Sequence, residues 1–142
     1  MALYTVLIVD DEEEFRDMTT KRLSKRDLEC ESAPDGDTAL EMIAKKSYDV
    51  VLLDVKMPGR DGIETLREIK RIAPMTEVVM LTGHASVESG INGIKYGAFD
   101  YLMKPMELDP LFEKLNAAYD RKRTQQEKIE MAQIKKDMVR PG

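Results

Sequence analysis

The sequence predicts an α/β fold in which five parallel strands form one sheet and helices cover both of its faces. Short apolar runs rich in valine, isoleucine and leucine alternate along the chain with longer stretches in which apolar residues recur at helical spacing. The apolar runs are nearly continuous, which is typical of parallel strands buried on both faces. A chain of 142 residues is long enough for one domain of this kind.

The first half of the chain contains three predicted strands and two predicted helices. In chain order the predicted bounds are strand 4–9, helix 11–26, strand 28–32, helix 38–46 and strand 49–53. In the first helix, the residues expected to face inward are Phe15, Met18 and Leu23. The second strand alternates apolar and polar residues, which indicates an edge strand.

The second half continues the alternation and contains clear boundary signals. Its predicted elements are helix 61–72, strand 77–81, helix 85–96, strand 99–103 and a helix from 108 onward. Asp61 is a predicted N-cap, with Glu64 three positions later as its capping-box partner. Pro74 follows the end of this helix, and Gly97 ends the next one.

Five strands joined by right-handed crossovers fit the flavodoxin-like strand order 2-1-3-4-5. This order places the weakest strand, residues 28–32, at an edge. Ligands of such sheets bind beyond the carboxyl ends of the strands where the order reverses, here strands one and three.

Polar side chains follow four of the five predicted strands, at the end where a ligand is expected. They are Asp10, Asp11, Asp54, Thr82 and Lys104. Clustered carboxylates repel one another unless a cation is present, and Mg²⁺ prefers oxygen ligands. A carboxylate in such a site can act as a nucleophile toward phosphorus, while a lysine and a hydroxyl stabilise the transferring oxygens.

Four motifs resemble the receiver domains of bacterial two-component response regulators. They are LIVDDEE at 7–13, LLDVKMPGRDG at 52–62, LTGHAS at 81–86 and YLMKP at 101–105. The resemblance covers about residues 3–120. It implies a signalling switch that a histidine kinase or phosphotransfer protein phosphorylates, and that then controls a downstream protein.

The resemblance implies a metal site around the phosphoacceptor. Asp54 would accept the phosphoryl group, with Mg²⁺ or Mn²⁺ as the cofactor. The metal would be held by Asp11, Asp54 and the backbone carbonyl of Lys56, and Asp10 would reach it through water.

The resemblance also implies a phosphoryl-binding set and a switch. Thr82, Lys104 and the backbone amide of Gly83 would bind the phosphoryl oxygens. Tyr101 would turn inward when Thr82 engages the phosphoryl group. The Lys104-Pro105 peptide matches one that is usually cis in the family.

Two further features bear on the lifetime and the output of the phosphorylated state. Lys56 and His84 each stand two residues after a site residue, and as a bulky pair they would slow dephosphorylation; the alternative for His84 is a solvated side chain. The fourth helix contains Gly90 and Gly93, which predicts a soft helix. The resemblance implies that this helix forms the signalling face together with the fifth strand and the fifth helix. Close packing on the sheet is the alternative explanation for these glycines.

Composition argues against several other classes. Cys30 and His84 are the only residues of their types, which excludes a disulfide within the chain and a multi-histidine metal site. No apolar run spans a bilayer and no signal peptide is evident, so a cytoplasmic protein is expected. Residues 1–120 carry a net charge of −9, which argues against nucleic-acid binding by the body.

Two enzyme or cofactor classes share this fold but lack support. An aspartate-nucleophile phosphohydrolase needs a second acid two residues after the nucleophile, where this chain has Lys56. A flavin or nucleotide binder needs a glycine-rich phosphate loop after the first strand, where this chain has acidic residues. We therefore expect no enzymatic activity beyond self-catalysed phosphoryl transfer and slow autodephosphorylation.

Residues 121–142 form a predicted basic extension of the receiver, with a net charge of +4 and no output domain. Three interpretations stay open. The extension is a longer last helix that supports a homodimer together with the signalling face, or a partly disordered arm or docking segment. Alternatively, the chain is the receiver of a longer DNA-binding or ATPase-type transcription regulator.

Overall fold

The protein alternates strands and helices throughout, as shown by a computed structural model that describes residues 2–56, 61–83 and 87–138, with side chains except at 87–90. The elements are β1 (Thr5–Val9), α1 (Glu13–Ser24), β2 (Glu29–Ala33), α2 (Gly36–Lys45), β3 (Val50–Asp54), α3 (Gly62–Ile72), β4 (Glu77–Thr82), α4 (Val87–Lys95), β5 (Asp100–Met103) and α5 (Leu108–Met138). Within the described residues, no helix combines the length and hydropathy needed to cross a lipid bilayer.

The five strands form one parallel sheet in the order β2-β1-β3-β4-β5. The predicted strand order is confirmed, and β2 lies at an edge as its alternating pattern indicated. The central strands β1, β3 and β4 are buried almost throughout because helices cover both of their faces.

Two hydrophobic layers lie on opposite faces of the sheet. Along β1, Leu7 and Val9 belong to one layer, whereas Val6 and Ile8 belong to the other. The first layer packs against α2 and α3, and the second packs against α1 and α5. The strict alternation of strand side chains thus divides one continuous apolar run between two cores.

The helix boundaries follow local capping. Asp61 accepts a hydrogen bond from the Glu64 amide at 2.9 Å, and α3 ends at Ile72, so the predicted cap and end are confirmed. The second helix begins two residues earlier than predicted because Asp35 caps it by accepting from the Thr38 amide. In α1, Met18 is 47% exposed, and its predicted inward orientation was wrong.

Helix α5 continues without a break from Leu108 to Met138. Its buried residues are Leu111, Leu115, Ala118 and Lys122, which recur at helical spacing along one stripe. Beyond Lys122 the described part of this helix is exposed, apart from a half-buried Gln125. Lys122 is therefore the last residue of the described helix that is buried against the rest of the protein.

Candidate functional site

The predicted polar residues meet at the carboxyl-terminal edge of the sheet. Asp10 directly follows β1, Asp54 and Thr82 end β3 and β4, and Lys104 follows β5. Asp54 is in register with Leu81 on β4, which places it one residue before Thr82 on the neighbouring strand. We refer to this edge, with these residues and Asp11, as the carboxyl rim.

The Lys104 ammonium joins the acidic groups of the carboxyl rim. Its Nζ lies 2.5 Å from Asp10 Oδ2, 3.3 Å from Glu12 Oε1 and 3.6 Å from Asp54 Oδ2. Asp10 is fully buried and Lys104 is mostly buried, so these charges interact with little screening by water. One lysine thus serves three carboxylates that come from two different segments of the chain.

Asp54 is a buried carboxylate in a mixed electrostatic environment. Its pKa is raised to about 6, chiefly by burial; the Lys104 charge lowers the pKa and the Asp10 charge raises it, and the value is the net result of these effects. One of its oxygens accepts a hydrogen bond from the Lys56 amide at 3.2 Å. The carboxylate is therefore ionised at neutral pH, although its negative charge is only partly compensated.

The segment after β1 forms the second acidic part of the rim. Asp10 Oδ1 accepts a hydrogen bond from the Glu12 amide at 2.9 Å, and the Asp10 carbonyl accepts one from Arg16 at 2.7 Å. These bonds fix the turn into α1, whose N-cap Glu12 makes no side-chain cap. Carboxylate oxygens of Asp10, Asp11 and Glu12 lie within 4.8 Å of one another.

These carboxylates fit a hard divalent cation, because all of the donors are oxygen and two of the three residues are exposed to water. The cluster includes Glu12, which the sequence interpretation had not assigned. The predicted ligand set of Asp11, Asp54 and the Lys56 carbonyl, with Asp10 through water, stays a prediction.

Thr82 and its neighbours Gly83 and Tyr101 form the other side of the rim. Thr82 is buried, and its hydroxyl donates to the Leu102 carbonyl over 3.5 Å, at the limit of a hydrogen bond. Gly83 is exposed, and among the described residues a Cβ atom there would meet nothing within 4 Å. Tyr101 is half-buried and packs against the core layer of α2 and α3.

The structure describes one of the two residues that were predicted to slow dephosphorylation. Lys56 is exposed beside Asp54, whereas His84 lies outside the described residues. The Lys104-Pro105 peptide is cis, as the resemblance implied.

Two residues that sequence reasoning missed support the rim. Gly62 begins α3 so close to the end of β3 that a Cβ atom would lie 2.6 Å from Val55 Cα and 2.8 Å from the Asp54 carbonyl oxygen. Phe15 on α1 places its ring centroid 4.4 Å from Lys104 Nζ. The glycine next to a predicted cap was a usable signal for the first, whereas no local pattern indicated the second.

Comparisons with known proteins agree on one family. The family model of the response regulator receiver domain matches residues 6–116. The regulatory protein AtoC of Escherichia coli is 40% identical over 110 residues, which are 78% of this chain and 24% of AtoC. The chain thus spans about a quarter of the length of the curated relatives it matches.

Solved structures give the same result at the level of single domains. A response regulator receiver domain protein from Clostridium thermocellum superposes with a TM-score of 0.83 and 35% identity, covering 87% of this chain and 99% of that chain. The receiver domain of NtrX from Brucella abortus gives a TM-score of 0.78 and 36% identity, covering 81% of this chain and 98% of that chain.

Proposed function

Because this chain belongs to the response regulator receiver family of two-component signalling, we propose that Asp54 is its phosphoacceptor. The observation that carries the proposal is the position of Lys104 Nζ between the Asp10 and Asp54 carboxylates. Receiver domains are phosphoacceptors, and in this chain Asp54 is the carboxylate that ends the central strand next to Thr82. A nucleophilic carboxylate, a cation and a hydroxyl are the groups that phosphoryl transfer requires.

In the proposed reaction, a phosphoryl group moves from a phosphohistidine donor to Asp54. A carboxylate oxygen forms a bond to phosphorus as the phosphorus–nitrogen bond of the donor breaks, and the bonding electron pair returns to the imidazole. Asp54 attacks in its ionised form, which prevails at neutral pH because its pKa is about 6. Lys104 and Thr82 are proposed to bind the phosphoryl oxygens, with the exposed amide of Gly83 as a further donor.

Receiver domains generally bind Mg²⁺ at an acidic pocket, and the acidic cluster of this chain fits such an ion. The proposed ligands are Asp11, Asp54 and the Lys56 carbonyl, with Asp10 through water. When bound, Mg²⁺ neutralises negative charge on the transferring group. Asp10 also holds Lys104 and the turn into α1, so it orients the protein's own cation.

Thr82 and Tyr101 are the proposed switch. The long Thr82 hydrogen bond is weak, so the hydroxyl can leave the Leu102 carbonyl for a phosphoryl oxygen at little cost. Tyr101 is half-buried, and it is proposed to turn inward behind the Thr82 side chain. The signal would then reach the surface of α4, β5 and α5, where Ile91 and Ile94 of α4 are exposed.

The proposed partners are a histidine kinase or phosphotransfer protein and a downstream protein that reads this surface, with a homodimer through the same surface as a further proposal. Residues 121–142 are proposed as a basic helical extension of a receiver that spans 1–120. The proposed chemistry is limited to phosphoryl transfer onto Asp54 and slow hydrolysis, which Lys56 and His84 would retard.

The test is Mg²⁺-dependent labelling of the purified chain with radioactive acetyl phosphate. Stoichiometric labelling of the wild type, and none of Asp54→Asn, is expected. Asp17→Asn, which removes an exposed carboxylate on α1, is the matched control and should label like the wild type. Equal labelling of Asp54→Asn would contradict the proposal, and multiple turnover of a phosphate ester would instead favour a phosphohydrolase.

A further inference from the structure

We propose that Phe15 is a positioning residue that holds the Lys104 ammonium in the carboxyl rim by a cation–π contact. The inference deepens the proposed function and rests on it. The ring centroid of Phe15 lies 4.4 Å from Lys104 Nζ, well within the distance at which an ammonium is attracted to the face of an aromatic ring.

Phe15 is held in place by the same turn that builds the rim. It lies in the first turn of α1, is half-buried and packs against the core layer of α1 and α5. The next residue, Arg16, donates to the Asp10 carbonyl at 2.7 Å, and the Glu12 amide donates to the Asp10 carboxylate. The ring therefore has a fixed position relative to Asp10.

The ring differs from the other partners of Lys104 in what it can bind. The three carboxylates near Lys104 Nζ belong to Asp10, Glu12 and Asp54, and each of them can also be neutralised by a divalent cation. Neutralising a carboxylate weakens its attraction for the ammonium. A phenyl ring is not a ligand for Mg²⁺, so its attraction for Lys104 is retained when the carboxylates are occupied.

Lysine needs such a partner because its ammonium sits on a flexible four-carbon stem and can bind many neighbouring anions. The ring limits the ammonium to positions between Asp10 and Asp54. Phe15 would thereby keep Lys104 available to the incoming phosphoryl group without competing with that group for negative charge.

A simple packing role makes a different prediction. Phe15 also lines a cavity of about 250 Å³ together with Met18, Lys104 and Met106, so it could serve only as an apolar wall. An apolar wall depends on the size and shape of the side chain. A cation–π contact depends in addition on the electron density of the ring face.

The experiment replaces Phe15 in the full chain with phenylalanine analogues of increasing ring fluorination, which nearly preserve shape and progressively remove electron density from the ring face. The rate of Asp54 labelling by acetyl phosphate at saturating Mg²⁺ should fall stepwise, by about three- to tenfold for the most fluorinated ring. The same analogues at Phe112, whose ring lies 5.0 Å from the Arg26 guanidinium and away from the rim, are the matched control and should leave the rate unchanged.

A second measurement does not depend on activity. Protons on the ε-carbon of Lys104 should show an upfield ring-current shift in the metal-free protein, lost in Phe15→Leu and retained in Phe112→Leu. A labelling rate that is the same for all analogues, or the absence of the ring-current shift, would overturn the positioning role. An unlabelled wild type would instead overturn the proposed function, and this inference with it.

Discussion

The two ends of the sheet each hold carboxylates beside a lysine, but the charges are balanced differently. At the carboxyl rim, Lys104 is shared by Asp10, Glu12 and Asp54. At the opposite end, which we call the amino rim, Lys122 pairs with Asp49 and with no other carboxylate of the described residues, and their charged atoms are 2.5 Å apart. Among the residues compared, the carboxyl rim thus has one lysine for three carboxylates, whereas the amino rim has one lysine for one carboxylate.

The pKa values reflect this difference. The pKa of Asp54 is raised to about 6, chiefly by burial. Burial acts on Asp49 in the same direction, but hydrogen bonds from Lys122 and Thr5 outweigh it and hold the pKa of Asp49 below its usual value. A satisfied carboxylate stabilises the fold, whereas an unsatisfied one is ready to take up a cation or to react.

The amino rim is also closed around a second acid. Glu77 is buried, and its carboxylate lies 3.4 Å from Lys70 Nζ and 3.4 Å from Arg121 Nε. Lys70 further donates to the carbonyls of Pro74 and Thr76. This end of the sheet therefore ties α3 and α5 to β4, and its role is architectural.

Replacing the lysine of each rim should give the largest effect on stability. It should also distinguish the cation-binding role of the carboxyl rim from the structural role of the amino rim. Lys122→Met leaves Asp49 without its cation and should lower the free energy of unfolding by about 2–4 kcal/mol. Lys104→Met should also destabilise the metal-free protein, but millimolar Mg²⁺ should recover most of that loss because the ion replaces the missing charge. Urea denaturation with and without Mg²⁺ measures both, and equal Mg²⁺ rescue of the two variants would contradict the comparison.

Neutralising Asp54, the proposed phosphoacceptor, should stabilise the metal-free protein. Because the folded-state pKa of Asp54 is about 6 against an ordinary value of 3.8, its ionisation destabilises the fold as the pH rises through this interval. Above pH 6, Asp54→Asn should therefore raise the free energy of unfolding by about 1–3 kcal/mol. This gain in stability should shrink as the pH falls toward about pH 4. Urea denaturation between that pH and neutral pH measures it, and equal stability of Asp54→Asn and the wild type at neutral pH would contradict the prediction.

Neutralising the acid of the amino rim should have the opposite sign and a smaller pH-dependent part. The pKa of Asp49 is lowered from 3.8 in the folded protein, so its ionised form stabilises the fold above that pH, and the contribution is lost as the pH falls below it. Asp49→Asn should thus be less stable than the wild type at neutral pH, with the difference narrowing in acid. Thermal denaturation of Asp49→Asn and of the wild type at neutral pH and in acid tests this. A difference in stability that is the same at both pH values would show that the charge of Asp49 does not contribute to stability.

Much of the fold was predictable because its signals are local. Continuous apolar runs identified the buried strands, and the Asp61 cap with Pro74 marked both ends of α3. The start of α1 was harder to predict because the Asp10 carboxylate binds the Glu12 amide and thereby belongs to the turn. Met18 was misplaced because helical spacing alone does not give the width of the buried face.

The positions of the candidate site residues were predictable where those residues stand at the ends of strands. The order of the strands brings Asp10, Asp54 and Lys104 together, whatever the details of the helices. The Phe15–Lys104 contact joins residues far apart in sequence and depends on how α1 is rotated against the sheet, which no local pattern specifies. Lys122 was counted with the basic extension, although its spacing of four from Ala118 already placed it on the buried stripe.

The ion pair of Lys122 with Asp49 also marks the point about which the exposed end of α5 would tilt. Residues 123–138 continue α5 beyond this point, a length of about 24 Å at the rise of an α-helix. A tilt of the helix by about 5° at Lys122 displaces its far end by about 2 Å over that length. The other end of α5, about 21 Å from Lys122 at the same rise, adjoins the loop that carries Lys104, so an adjustment at the carboxyl rim would reach the tip of the helix at about the same size.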